Sequence, residues 1–518
     1  MDGAQSVERW IPWKGDLPKD SHLIRTLESK GLAAVKEEIT TYYEQGQWDD
    51  YKKITNPYEY IFLSWNRRTS RSVASRSPLS RSYFKMIELW KLADLNKELK
   101  LLVTQAGALR TVHTAEGPGG FLEAMTVMAE KNKWTYESCR AMTLRSTNKH
   151  IPGWRKAVHF LETNPMVQIS YGADDTGDLL KIENRTHFIN ECKEKAHLYT
   201  ADGGFDFSGD YNGQEDSIFS LLVAEILVGV QTLALGGVMI IKCFDTTEKQ
   251  TLDVLWALCS LFREWSFVKP RTSRAGNAER YFVGKGFLGD SAGSKEFVTL
   301  LQASAPYHKG VPLLQNVLPR TWLQTMWEVQ ESIEREEYRI IRDTIHLITH
   351  ASAPQSQTQI RRLVRQNVIR SMEWCIEHDE AISEDWTHHL DRYVAQEVMD
   401  LFHILKQPFV SPSWTVQPRT ASIWSRGSSH EDRSLAEPSI TFEGFRASNS
   451  SSNDGWSAPV AGRSITSSRA ESLQGPVSRS DLLGPSLPAQ RRYADLFSRP
   501  RRPPTVEASS LEVLPGKT

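Results

Sequence analysis

The stretch Thr111–Met125, TVHTAEGPGGFLEAM, decides how the chain is read. A strand-like run ends at Glu116, the turn Gly117-Pro118-Gly119-Gly120 follows, and a helical run opens at Phe121. In an open α/β sheet such a turn lies beyond the carboxyl end of a strand, where ligands bind, and glycine lets backbone approach a ligand that a Cβ would hold off. A nucleotide-like cofactor is one reading of the turn; a tight corner that needs glycine for its geometry alone is the other. No Gly-Lys-Ser/Thr follows, and the Gly-x-Gly-x-x-Gly spacing of a dinucleotide site is missing, so a cofactor without a pyrophosphate is preferred.

Outward from this turn, residues 100–290 alternate short apolar runs with helical ones, the pattern of a parallel sheet wound by helices. Predicted strands are Thr111–Ala115, Ser138–Leu144, Val167–Ser170, Leu198–Ala201, Val238–Ile241, Ser266–Val268 and Arg280–Val283. Only a Pro/Arg/Ser/Gly turn separates the last two, which predicts an antiparallel hairpin closing the sheet. Residues 1–65 read as helical. The run from Asn66 to Lys85 holds Arg67, Arg68, Arg71, Arg76, Arg81 and Lys85 with no acid, the clearest basic patch in the chain. Beyond Pro312, Trp322, Met326, Val329 and Ile333 form one stripe of a long helix, and two or three helices follow to about Leu405, with Trp322, Trp327, Trp374 and Trp386 read as helical core. From Val410 the chain turns to Ser, Pro, Gly and Arg and is expected to be disordered in isolation. The expected organisation is an N-terminal helical region (1–65), an α/β catalytic domain (66–300), a helical accessory domain (301–409) and a disordered tail (410–518).

A length of 518 residues exceeds what one core usually organises, and Lys plus Arg total 62 against 63 acids, so an RNA partner has to be argued from local patches. Five scattered cysteines without a Cys-x-x-Cys pair fit a reducing compartment and exclude a disulfide scaffold or zinc ribbon. The opening residues carry no cationic start followed by an apolar core, so no secretory signal is read, and a cytoplasmic or nuclear protein is expected. The apolar run Ile218–Leu235 carries Glu225, Gln231 and Thr232 and is read as a buried helix rather than a membrane span. Cys375, His378, His388 and His389 match no standard ligand spacing, so no metal is expected.

Four residues decide the chemistry. Lys85 lies in LSRSYFKM, Asp202 in TADGG and Lys242 in IIKCF, while Glu279 opens the reversed strand. A reversed strand begins on the edge where its parallel neighbours end, so Asp202, Lys242 and Glu279 share the crevice of the Gly-rich turn. Singly, each has an ordinary explanation: a salt-bridged strand-end lysine, or an aspartate that forms a turn. Lys242 follows an apolar run, where desolvation lowers a lysine's pKa unless a carboxylate compensates, and it is the candidate base.

Together, SRSYFK, EGPGGF, TADGG, IIKCF and SR-x-x-x-x-E-x-Y-x-V resemble the FtsJ-like (RrmJ-type) 2'-O-ribose RNA methyltransferases over about residues 66–290. PLSRSYFKM, EGPGGF, IPGW and YGADDTGD look most like the cap-specific mRNA branch, including forms carried by large viruses. The resemblance implies a Rossmann-like methyltransferase sheet with helices on both faces, S-adenosylmethionine as methyl donor, and a Lys-Asp-Lys-Glu tetrad of Lys85, Asp202, Lys242 and Glu279. It implies donor binding by Glu116, Gly117, Pro118, Gly119, Gly120 and Phe121, with Asp174, then Asp175, for the adenine amino group and Asp202 near the sulfonium. Ser80, Arg81 and Ser82, beside Lys85, are candidates for RNA phosphates. Trp154 lies in the catalytic region, where an aromatic side chain could stack on a methylated guanine. The implied activity is methylation of the first transcribed nucleotide of capped mRNA, with other capping or polymerase proteins as partners through the helical region or the tail motif RRYADLFSRPRRPP. Ribosomal or transfer RNA methylation, and a catalytically silent RNA-binding module, are the alternatives.

Overall fold

The computed structural model describes residues 30–398, apart from 64–71, 147, 149–150, 152, 205–211, 309–310, 352, 387–391, 393 and 396, together with 447–448. Arg67, Arg68 and Arg71, His388 and His389, and the tail other than 447–448 lie outside the described residues.

Seven strands form the sheet: β1 (Leu109–Thr114), β2 (Tyr136–Met142), β3 (Val167–Ser170), β4 (Ala196–Ala201), β5 (Leu233–Cys243), β6 (Phe262–Val268) and β7 (Arg280–Phe287). Their order is β3-β2-β1-β4-β5-β7-β6, and a two-residue strand β8 (Ala447–Ser448) adds to β6. The pairings among β1 to β5 are all parallel. β7 is antiparallel to both β5 and β6. All seven predicted strands are present; β1 and β2 are shifted toward the N-terminus by one or two residues at each end, and β5 is the most extended, from Val238–Ile241 to Leu233–Cys243. Strand order reverses between β1 and β4, the switch point where an open α/β sheet leaves a crevice.

The alternation along β5 shows how the sheet divides its neighbours. Val238 and Ile240 enter one hydrophobic cluster, and Met239, Ile241 and Cys243 enter the other. The first side is covered by α3 (Ser82–Leu92), α4 (Leu95–Ala106) and α5 (Gly120–Lys131), the second by α7 (Ile182–Glu191), α8 (Gln214–Thr232) and α9 (Lys249–Cys259). α8 is the apolar run expected as a buried helix, with Ile218, Phe219 and Leu221 through Val228 buried. No described helix is long and apolar enough to cross a membrane.

The flanking helices join the same cores. α1 (Lys30–Glu44) and α2 (Trp48–Thr55) place Leu32, Val35, Ile39, Trp48 and Ile54 in the cluster that contains Val238 and Ile240. α11 (Arg320–Thr349) buries Trp322, Met326, Val329 and Ile333 on one side of the sheet and Ile341 and Ile345 on the other. α12 (Pro354–Glu377) adds Ile360, Val364, Val368 and Trp374. Trp322, Trp374 and Trp386 are core as expected, but Trp327 is 45% exposed. It follows the buried Met326 by one residue, a rotation of roughly 100° away from the stripe. α6 (Val158–Thr163) packs Phe160 and Leu161 with Leu122, Trp154 and Val167, and α10 (Ser294–Ala303) adds Phe297, Leu300 and Leu301 to the cluster that holds α8.

Glu59 ties these parts together. Its carboxylate, fully buried, accepts from Arg274 at 2.8 and 3.0 Å and from Asn56 at 2.6 Å, and pairs with Arg81 at 3.3 Å. Burial pushes its pKa up, but Arg274 and Arg81 more than offset this and hold it at about 2. Glu59→Ala strands two guanidinium groups and is expected to lower the unfolding free energy by about 3 kcal/mol, read from urea melts at pH 7. With an ordinary value of 4.5, the Glu59 contribution is complete above pH 4.5 and lost as the pH falls through about 2, so wild type and variant should converge on acidification from pH 6 to 3.

Candidate active site

Lys85 stands on α3, Asp202 just past β4, Lys242 near the end of β5 and Glu279 just ahead of β7. In the antiparallel register Lys242 faces Tyr281, so both side chains project to the side of the sheet covered by α3. The structure brings all four expected residues together. Lys85 Nζ is 2.8 Å from Glu279, and Lys242 Nζ is 3.2 Å from Asp202 Oδ1 and 3.9 Å from Glu279 Oε2. Lys242 Nζ also donates to the Asp202 main-chain oxygen at 2.8 Å and lies 5.7 Å from the centre of the Phe244 ring.

Two cations and two anions thus share one patch of low exposure. For Glu279 burial works upward, but Lys85 and Lys242 hold its carboxyl down at about 2. For Lys242 burial lowers the pKa, as its apolar run suggested, and Asp202, Glu279 and Glu225 reverse that, so the net shift is upward. The compensating carboxylates win, and Lys242 rests as an ammonium.

Three neighbours were not singled out from sequence. Tyr281 donates its hydroxyl to Asp202 Oδ1 at 2.7 Å, and the Y of E-x-Y-x-V was its only signal. Glu225 on α8 is wholly buried against Gly203, whose missing Cβ it would otherwise strike, and burial pushes its carboxyl well up. His113 on β1 lies 3.3 Å from Glu116, bonds to Thr111 and Thr200 at 2.7 Å each, and is raised to about 10: burial opposes the charge, while Cys139 and Glu116 favour it. Charged-looking residues inside a strand pattern carry no periodic signature of such a network.

The glycines of the turn are held by packing as well as by conformation. Gly119 has φ +109° at the start of α5, a Cβ at Gly117 would come within 2.9 Å of the Gly153 carbonyl, and one at Gly120 would strike the Ser80 and Ser82 hydroxyls. Those hydroxyls are 2.6 Å apart. Gly117 and Pro118 are half-buried, Glu116 is buried with Thr200 bonded to one oxygen, and Phe121 is fully buried with its ring 6.1 Å from Tyr281. Trp154 is buried beside Gly119 rather than open to a ligand.

Asp174 and Asp175 sit in the loop after β3. Asp174 Oδ1 accepts from Thr176 and its Oδ2 pairs with Lys181, while Asp175, at φ +61°, pairs with Arg145. Arg81 departs from the expected phosphate track: its guanidinium donates to the carbonyls of Tyr58, Glu59, Phe62 and Thr272 at 3.0 to 3.3 Å and pairs with Glu59. Arg76, half-exposed, stands 3.9 Å from Glu123 and Glu380. Cys375 is buried, and His378 stacks on Trp374 at 4.2 Å.

A model of the FtsJ-like methyltransferase family matches residues 78–287. The chain is 32% identical over 215 residues to a cap-specific mRNA (nucleoside-2'-O-)-methyltransferase 1 of Trypanosoma brucei brucei, covering 40% of this chain and 56% of that protein. It is 29% identical to the Dictyostelium discoideum protein of the same name, over 46% of this chain and 31% of the other. A "Probable methyltransferase EP424R" of African swine fever virus is 30% identical over 35% of this chain and 46% of its own length. The chain therefore spans about half or less of the length of these relatives. In sequence, the segment from residue 78 to 287 matches the FtsJ-like methyltransferase family.

Proposed function

We propose that this chain is an S-adenosylmethionine-dependent RNA 2'-O-ribose methyltransferase that acts on the first transcribed nucleotide of capped mRNA, in the nucleus or cytoplasm. The observation that carries the reading is the cluster of Lys85, Asp202, Lys242 and Glu279 within 2.8 to 3.9 Å of their partners at the carboxyl edge of the sheet. The names of the relatives support the cap-specific form of it.

The site suits the cofactor through its acids: the loops after β1, β3 and β4 carry Glu116, Asp174 and Asp202, acceptors for a cationic ligand that bears N–H donors. We assign donor binding to these acids and to the backbone of Gly117 through Phe121. Bound there, S-adenosylmethionine supplies an electrophilic methyl group.

Attack by a ribose 2'-hydroxyl releases a proton, which Lys242 Nζ accepts in its neutral form. Asp202 and Glu279 keep that amine in place but also keep it protonated, so the base form grows from the alkaline side and the rate rises with pH. Lys85, held by Glu279, lies where a developing alkoxide gains from a positive charge. Tyr281 holds the Asp202 carboxylate from the other side.

For the acceptor, a cavity of about 110 Å³ opens beside the loop that carries Glu279, bounded by Trp48, Lys52, Asn56, Gln214, Arg274 and Asn277. Asn56 Oδ1 and Gln214 Oε1 are buried acceptors without a hydrogen-bond partner among the described residues, which suits a base presenting N–H groups. Lys52, paired with Asp49, and Arg274, paired with Glu59, complete the wall, and we seat the capped end of the RNA against it.

Labelled methyl transfer tests the reading, with matched short RNAs bearing an N7-methylated cap, an unmethylated cap or a bare triphosphate. Label on the first nucleotide's 2'-oxygen of capped RNA is expected; label irrespective of the cap would shift the activity to structured RNA, and none on any RNA would leave a silent binding module. Lys242→Ala is expected to abolish transfer with donor affinity kept within a few-fold, and near wild-type turnover would remove Lys242 as the base. Tyr281→Phe should lower kcat and cost about 1 kcal/mol of stability, from turnover and thermal melts on one preparation. Lys52→Glu should raise the KM for capped RNA and leave that for the donor unchanged.

A further inference from the structure

Lys269 is the residue after β6, and its Nζ donates to the Asn277 main-chain oxygen at 2.6 Å, to Asn277 Oδ1 at 2.9 Å and to the Glu279 main-chain oxygen at 2.9 Å. Asn277 Oδ1 also accepts from the Glu279 N–H and the Ser273 hydroxyl at 3.3 Å each. These bonds tie the last turn before β7 to the end of β6. Glu279 is the residue that the turn delivers, and its carboxylate reaches Lys85 at 2.8 Å and Lys242 at 3.9 Å.

We propose that Lys269 is a positioning residue of the methyl-transfer site, whose ammonium clamps Asn277 and Glu279 so that the Glu279 carboxylate stays between Lys85 and Lys242. The proposal rests on the methyltransferase reading above. Three acceptors converge on Nζ, matching the three donors of an ammonium and exceeding the two of a neutral amine. Loss of the proton therefore loosens the turn as well as removing a charge beside Glu279.

The groups facing Lys269 are Glu279 from the start of β7, Glu337 from α11, Arg280 from β7 and Lys85 from α3. Burial is the largest influence and lowers its pKa, the two glutamates oppose it, and the two cations add to it, leaving a value of about 8. Charge and clamp are therefore complete below pH 8 and are lost as the pH rises through it. The rate gain from deprotonating Lys242 runs the other way, so the wild-type rate should climb from neutral pH and level off near pH 8.

The test uses the full chain with Lys269→Met, which removes the charge at similar length, and Lys269→Arg, which keeps a charge across the range. Single-turnover methyl transfer would be followed from pH 6 to 10, with hydrogen exchange of residues 270–281 read on the same proteins. Lys269→Met is expected to lose roughly tenfold to a hundredfold in rate, with the donor KM within a few-fold of wild type, and to exchange faster in that segment. Lys269→Arg should restore protection and most of the rate at pH 7, and its rate should go on rising past pH 8. A wild-type rate and profile in Lys269→Met would overturn the proposal, as would equal losses in both variants with an unchanged profile, the mark of packing alone. Should the wild type transfer no methyl to any RNA, the activity reading fails separately, and the exchange data still decide the clamp: protection unchanged in Lys269→Met overturns it.

Discussion

The antiparallel insertion of β7 between β5 and β6 is the constraint on which the site depends. Because β7 runs against its neighbours, it starts on the edge where β1, β4 and β5 end, and Lys242 stands opposite Tyr281. A parallel β7 of the same eight residues would begin roughly 25 Å away, at about 3.3 Å per residue, and Glu279 could reach neither lysine. The hydrogen-bond ladder, rather than any single side chain, sets the distances of the tetrad.

Charge balance is the second condition. A lysine at the end of an apolar strand would shed its proton on burial, but opposite charges 4 Å apart attract by about 4 kcal/mol at an effective dielectric of 20, enough to reverse the shift. Two carboxylates within 4 Å of Nζ therefore hold Lys242 charged at rest. The same principle, with other partners, keeps Glu59 ionised between Arg81 and Arg274 in the wall behind the site. Arg274 lies in the loop that precedes Glu279, so the two ion networks meet in one turn.

The parts of the site that sequence made legible are those with a local physical signature. Short apolar, β-prone runs alternating with helical ones located all seven strands, and a strand-turn-helix transition rich in glycine located the mouth of the crevice. Glu116, Asp202 and Lys242 could be placed because each ends such a run. The part that stayed hidden depends on neighbours far along the chain. Arg81 stands between two serines beside Lys85, the setting of a phosphate contact, but the carbonyls of Tyr58, Glu59, Phe62 and Thr272 accept from its guanidinium. Trp154 reads as a stacking aromatic until Gly119 is found against its face. Nothing local marks the glycine after Asp202, where a buried glutamate from α8 occupies the space of its Cβ.

Sequence alone thus establishes the α/β class and the reversed last hairpin, since hydrophobic periodicity and turn chemistry are properties of neighbours in the chain, while the four residues of the tetrad are read from the motifs that resemble a family. Packing across the sheet settles the rest: which arginines face inward, the charge state of Lys242, and the bonds that Tyr281 and Lys269 make around Asp202 and Glu279. Those depend on burial and on contacts across the fold, from Lys269 and Glu279, 10 positions apart, to Lys85 and Glu279, 194 apart, which only the folded chain defines.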